Sequence, residues 1–294
     1  MGKIFTLESD TLRVQIISRG AELQSVFHKD QQREYLWQGD PAFWAKRSPV
    51  LFPIVGTLKN NQFTYREQVY TLNRHGFARD LDFTVAEQST GKIVFALTDS
   101  DSTRASFPFS FRFEVEYVLS GKTLAVTYRV VNTSLHDTCW FSVGAHPAFN
   151  VPLTQDTEYG DYYLEFEKPE TAGRWLIVDG GLLARETEPL LDNERRLRLS
   201  RELFARDAVV LKGLKSESVR LGTDKSNLGF EFTYTGFPFM GIWAAPGADF
   251  VCIEPWCGIA DSIDSSGKIE EKEGIEQLPA GGRFNRTWSI CFNE

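Results

Sequence analysis

The chain has 294 residues, 42% of them hydrophobic and 24% charged, with a net charge of −8 at pH 7. That acidity excludes nucleic acid and anionic membrane surfaces as partners, because both require a basic face, and no run of about 18 apolar residues exists to cross a bilayer. Four cysteines, at 139, 252, 257 and 291, are too few for a disulfide scaffold in so long a chain and read as reduced, partly buried thiols.

From the N-terminus onward the pattern is that of short strands. Residues 1–8 mix charges into apolar positions at once, so the apolar centre of a signal peptide is missing and a cytoplasmic location is expected. Alternating runs follow at 4–7, 12–17, 23–28, 62–65, 68–72, 83–86 and 93–98. The clearest is Phe111–Val118, where apolar residues hold the odd positions; Ser120-Gly-Lys122 turns the chain and Leu124, Val126, Tyr128 and Val130 resume the alternation. Further runs fall at 162–166, 209–211, 217–221, 229–234, 239–244, 250–254 and 287–292, and residues 258–277 read as an exposed acidic loop. Only 41–45 and 200–206 suggest short helices. Many antiparallel strands without crossover helices predict an all-β sandwich or barrel, and with no linker or repeat the simplest division is one domain over 1–294.

Three stretches carry candidate chemistry. His146 lies in Ser142-Val-Gly-Ala-His-Pro-Ala-Phe-Asn150, between a glycine that admits close backbone approach and a proline that fixes the turn. A lone histidine is more often a core residue, and only this setting tips the balance. His75 sits in Asn73-Arg-His-Gly-Phe-Ala-Arg79, which is either a solvated turn or a cluster of hydrogen-bonding side chains. Glu254 follows the apolar run Phe250-Val-Cys-Ile253 and precedes Pro255-Trp256; a carboxylate there is costly unless paired or functional, and its surroundings would raise its pKa. Arg47 beside Trp44 suits sugar hydroxyls or a phosphate, while Asp207 reads first as a turn residue. Trp44, Trp243 and Trp256 are the aromatic residues expected at a pocket, since indole faces match the C–H faces of a pyranose. Two histidines and a glutamate also allow a hydrolytic zinc site, but no His-Glu-x-x-His spacing supports it, and the motifs of phosphate loops, dinucleotide folds and serine hydrolases are missing.

Taken together, and in this order, the three stretches resemble the aldose 1-epimerase (galactose mutarotase-like) family over nearly the whole chain. His75-Gly-Phe-Ala-Arg79 and Gly144-Ala-His-Pro-Ala-Phe149 are closest to its hexose-6-phosphate epimerase and sugar-operon branch. The resemblance implies a large antiparallel β-sandwich with few short helices, an isomerase that interconverts α and β anomers, and no metal or other cofactor. It assigns Glu254 as base, His146 as a ring-oxygen acid protonated at rest, His75 as companion, Arg47 as the substrate arginine and Asp207 as the hydroxyl-binding aspartate; Arg79 and Trp243 are expected as further substrate contacts. Asp80, next to Arg79, weakens the phosphate reading. The expected partner is a small sugar, the expected state a monomer or homodimer. A non-catalytic sugar-binding protein is the main rival; a glycoside hydrolase would need a second strong carboxylate, for which only Asp207 is available.

Overall fold

A computed structural model describes residues 2–293 and shows antiparallel pairing between all named strands. A 14-stranded sheet dominates. It runs from Val143–Gly144 through Phe250–Cys257, Phe239–Trp243, Val209–Lys212 and Tyr162–Val178, then on through Ser218–Thr223, Ser226–Thr233, Arg283–Phe292, Thr123–Asn132 and Phe111–Ser120 to Lys92–Thr98 and Thr84–Ser89. A four-stranded N-terminal sheet and two hairpin-sized ones complete the all-β architecture. No helix among the described residues is long and apolar enough to cross a membrane.

Burial follows the sequence pattern where it is strictly alternating. Thr123–Asn132 alternates half-buried and buried residues along its whole length, and its neighbour Phe111–Ser120 keeps its odd positions buried. The even position Glu116 is buried too, held by Lys92 at 3.0 Å and Arg129 at 2.6 Å. Phe250–Cys257 is different: all eight residues are buried, as expected for a strand covered on both faces. Glu254 therefore does not end the strand. The run continues through Pro255, which pairs opposite Met240, and the sequence misleads because proline usually marks an edge or a stop.

Other expectations also change. Residues 41–45 form turns closed on Asp40, whose carbonyl accepts from Phe43 and Trp44; a little further on Glu22 takes the N–H groups of Arg47 and Ser48, which are thereby lost to a continuing helix. The segment at 200–206 keeps only the 3-10 turn Glu202–Phe204. The strand at 162–166 extends into a hairpin of two 17-residue strands, Tyr162–Val178 and Leu182–Arg198. Finally, the stretch 258–277 is not uniformly exposed, since Gly258 to Asp261, Ile269 and Lys272 are buried.

Apolar packing divides in two. The larger cluster extends from Leu7 to Phe292. A smaller one gathers Leu51, Val55, Leu183, Ala208, Val210, Phe239, Trp256, Ile259 and Ala260, and most of its members wall a cavity.

Candidate active site

Strand register explains how His146 meets Glu254. The strands on either side of the Ala145-His-Pro147 link both pair with Phe250–Cys257, Gly144 opposite Trp256 and Ala148 opposite Cys252. Counting inward from both ends places residue 146 across from residue 254, and the N–H groups of Ala145 and Ile253 hold the link through the carbonyls of Pro255 and Pro147. The result is a cross-strand contact of His146 Nε2 with Glu254 Oε2 at 3.3 Å.

Glycine is required around this contact for packing reasons. A Cβ on Gly144 would lie 2.6 Å from the Trp256 indole, and one on Gly241 only 2.3 Å from it. Two glycines on flanking strands thus leave the slot in which the indole lies at the cavity wall.

His75 arrives from another loop. It adopts φ +68°, and its N–H donates to the Gly56 carbonyl at 2.9 Å while its Nδ1 accepts from the Gly56 N–H at 3.1 Å. With Nδ1 used as acceptor, a neutral imidazole carries its proton on Nε2. Its ring stands edge-on to that of His146 with centroids 5.8 Å apart. Trp44 stacks on His146 at 4.9 Å and Trp243 meets the same ring edge-on at 5.8 Å.

These groups line a cavity of about 440 Å³. His75, His146, Glu254, Arg79, Asp207, Trp243, Trp44 and Trp256 all border it. Arg47 does not. Its guanidinium is spent on the Gln24 carbonyl at 3.0 Å, Gln24 Oε1 at 3.1 Å and the Gln38 carbonyl at 3.1 Å, which ties the N-terminal sheet to the neighbouring turn. The cation that enters the cavity in its place is Arg74. It stands 3.9 Å from Asp207 and its guanidinium donates no hydrogen bond among the described residues. Arg79 donates to the Arg74 carbonyl at 2.8 Å and lies 3.7 Å from Asp80, which also faces Lys46 at 3.4 Å.

Burial sets the proton inventory. Enclosure pushes the Glu254 carboxyl well above its ordinary range; Arg74 opposes this and Asp207 adds to it. The same enclosure, helped by Arg74 and Arg79, pushes His146 down to about 3. His75 is lowered by burial, then by His146 and the two arginines. Burial thus favours the neutral form of each partner, which runs against the expectation that His146 is charged at rest. His146 Nδ1 has no partner, and Trp256 Nε1 lies beside the carboxyl without the alignment of a hydrogen bond.

Residues 3–273 match the family described as aldose 1-epimerase. The chain belongs to the aldose 1-epimerase family. It is 34% identical to the plasmid protein LacX of Lactococcus lactis subsp. lactis over 280 residues, which cover 92% of this chain and 93% of that protein. Among solved structures it is similar to a galactose mutarotase related enzyme from Lactobacillus acidophilus, with a TM-score of 0.93, 36% identity and coverage of 99% and 98% of the two chains. A galactose mutarotase-like protein from Lactobacillus casei ATCC 334 superposes equally well, at TM-score 0.93 with 29% identity over 99% of this chain and all of that one. The chain is thus an isomerase of the epimerase class, and its all-β fold is the family's.

For an aldose epimerase, the cavity includes residues that sequence reading left aside. Arg74 had its signal in plain view, directly before His75. Ile259 and Ala260, from the stretch read as exposed, form one wall, and Ile177, Gly181 and Leu183 bring the tip of the long hairpin to another. A metal reading has one further point of contact: donor atoms of His146, Cys252 and Glu254 lie within 4.8 Å of one another. Three ligands are the number a hydrolytic zinc site uses, but the set differs from the two histidines and one glutamate read from the sequence, with Cys252 in place of His75.

Proposed function

We propose that the protein interconverts the α and β anomers of a hexose or hexose 6-phosphate by acid-base ring opening, with Glu254 and His146 exchanging protons with the substrate. The observation that carries this reading is the 3.3 Å contact between the two groups inside an indole-walled cavity. Ring opening removes a proton from the C1 hydroxyl and adds one to the ring oxygen, and both oxygens are bonded to the same carbon. Acid and base must therefore sit side by side, as these do.

The steps balance without any other reagent. As the bond from C1 to the ring oxygen breaks, the base takes the O1 proton, C1 and O1 become an aldehyde, and the acid protonates the departing oxygen. Rotation about C1–C2 presents the other face, and closure runs the same transfers in reverse. In the family's sense Glu254 takes and His146 gives, and a single proton transfer within the pair exchanges these roles. The pair stays neutral overall, which suits a cavity where an isolated ion is disfavoured. His75 donates from Nε2 to the ring or aldehyde oxygen.

An anionic sugar is the better fit. Arg74 and Arg79 both line the cavity, and although Asp207 stands beside Arg74 and Asp80 beside Arg79, the Arg74 guanidinium donates no hydrogen bond among the described residues and is left for an anion. Anomer-exchange NMR on a panel of aldoses and their 6-phosphates tests this. Faster exchange is expected, with the larger acceleration for phosphorylated sugars. Sugar binding, seen as a change in tryptophan fluorescence, without faster exchange would replace the enzyme by the sugar-binding reading.

A further inference from the structure

Asp207 is the carboxylate that faces Arg74 at the cavity, and its backbone is in an unfavourable state. Its φ is +69°, the left-handed region that non-glycine residues seldom adopt. Its own Oδ1 accepts from the Ala208 N–H at 2.8 Å, a local bond that helps the conformation but does not anchor the loop. The anchor comes from a different element. Arg174, on the first strand of the long hairpin, donates from Nη1 to the Leu203 carbonyl at 3.0 Å and from Nη2 to the carbonyls of Arg206 at 3.0 Å, Asp207 at 2.9 Å and Ala208 at 3.3 Å.

This arginine is unusual in what it lacks. It is 6% exposed, and among the described residues no carboxylate lies within ion-pair distance of it. A buried cation without a counter-ion is costly. Glu188, the nearest acidic candidate on the partner strand, is engaged by Arg206 instead. A hydrophobic residue would serve packing alone at lower cost, so the retained charge is explained by the carbonyls it gathers. Those carbonyls belong to the loop that displays Asp207 and, through Ala208 and Val210, to the cavity wall. Beside Arg174, Trp175 pairs with Val210, and two residues further on Ile177 lines the same cavity, so hairpin and loop are joined at its wall.

We infer that Arg174 is a positioning residue for sugar recognition: by holding four carbonyls of the 203–208 loop it fixes the Asp207 carboxylate over the cavity opposite Arg74. The role rests on the proposed sugar chemistry for its kinetic consequence, but the tether itself does not.

The test uses Arg174→Lys and Arg174→Met in the full chain. Lysine can reach some of the carbonyls and guards against simple misfolding of the methionine variant. Amide hydrogen exchange of the 203–209 segment is expected to speed up in both variants, more in Arg174→Met, while exchange in Phe111–Ser120 is unchanged. Unchanged exchange in the loop overturns the tether whatever the protein binds. With a sugar that the wild type turns over, Arg174→Met should raise KM about tenfold with kcat within about twofold. In an Asp207→Asn background the same change should move KM by less than about twofold, because the residue acts through Asp207. Equal, additive losses in both backgrounds, or a fall in kcat with KM unchanged, would overturn the positioning role. If no sugar is turned over or bound by the wild type, it is the epimerase reading that fails, and the exchange experiment still decides on the tether.

Discussion

Two buried pairs of opposite-charge type, one bordering the cavity and one joining segments that contribute to its wall, are built in contrasting ways. In the first, Lys272 Nζ meets Asp261 Oδ1 at 2.8 Å with side chains only 2% and 3% exposed. Lys272 also donates to the Ile259 carbonyl; Asp261 Oδ2 accepts from the Lys59 N–H, its own N–H donates to Thr57, and its carbonyl accepts from Leu183. Every polar group is used, and three segments of the cavity wall are joined. In the second, His146 and Glu254 have each other, an indole N–H out of line and an unpartnered Nδ1. The satisfied pair fixes structure. The unsatisfied pair is open to the cavity and available to a ligand.

The largest effect should come from breaking the second pair. Glu254→Gln is expected to lower turnover by about 10²–10⁴-fold while sugar binding changes by only a few-fold. Its stability should move the other way. A carboxyl whose pKa is raised supports the fold fully below its ordinary 4.5 and loses that support as pH climbs through the raised value. Glutamine cannot ionise and can still donate to His146 Nε2, so the variant's Tm should gain on the wild type as pH rises from 4.5 through the raised value. His146, depressed from 6.5 to about 3, supports the fold above 6.5 and withdraws that support only as pH falls toward 3. The wild-type rate should accordingly show no acidic limb near 6.5; a limb there would mean that the working proton resides on the imidazole.

Breaking the first pair should cost stability and leave chemistry alone. Lys272→Met strands the Asp261 carboxylate in a buried site, at about 3–5 kcal/mol. Chemical denaturation should show the loss, and adding Asp261→Asn should recover part of it because no charge is then left unpaired. Turnover of the protein that remains folded should stay within a few-fold of wild type. A fall as deep as that of Glu254→Gln would erase the distinction between the two pairs.

What could be read in advance follows the same division. The strict alternation of Phe111–Val118 announces a half-buried strand because one face meets the core and the other water. Glu254 announces itself because a carboxylate inside an apolar run has few structural uses. The long hairpin stays hidden: beyond residue 166 its alternation is largely among charged and half-exposed side chains such as Glu167, Lys168, Glu186 and Glu194, so no apolar period marks it. The Asp261–Lys272 pair hides for the opposite reason. Eleven residues apart in an acidic stretch, its members look solvated, and only the tertiary structure shows that each is the other's reason for being buried. Arg74 and Arg47 could not be ranked from sequence either, since the direction of a guanidinium depends on a backbone φ, such as the positive one at His75, that the residue type does not reveal.

Arg47 supplies the smallest effect and the sharpest control. It lies close in sequence to Trp44, and a sugar contact there would raise KM on truncation, as it would at Arg74. Its three hydrogen bonds go to Gln24 and Gln38 instead, and its backbone N–H and carbonyl are tied to Glu22 and Ala148. Arg47→Met keeps the stem and removes only the donors, so the expected cost is about 1–2 kcal/mol of stability. KM and kcat should both stay within about twofold of wild type, because the nearest cavity residue, Trp44, is held independently by its own N–H on the Asp40 carbonyl and by stacking on His146. A tenfold rise in KM with unchanged stability would put the guanidinium in the sugar site after all, and with it a rearrangement of the Gln24 and Gln38 contacts on binding.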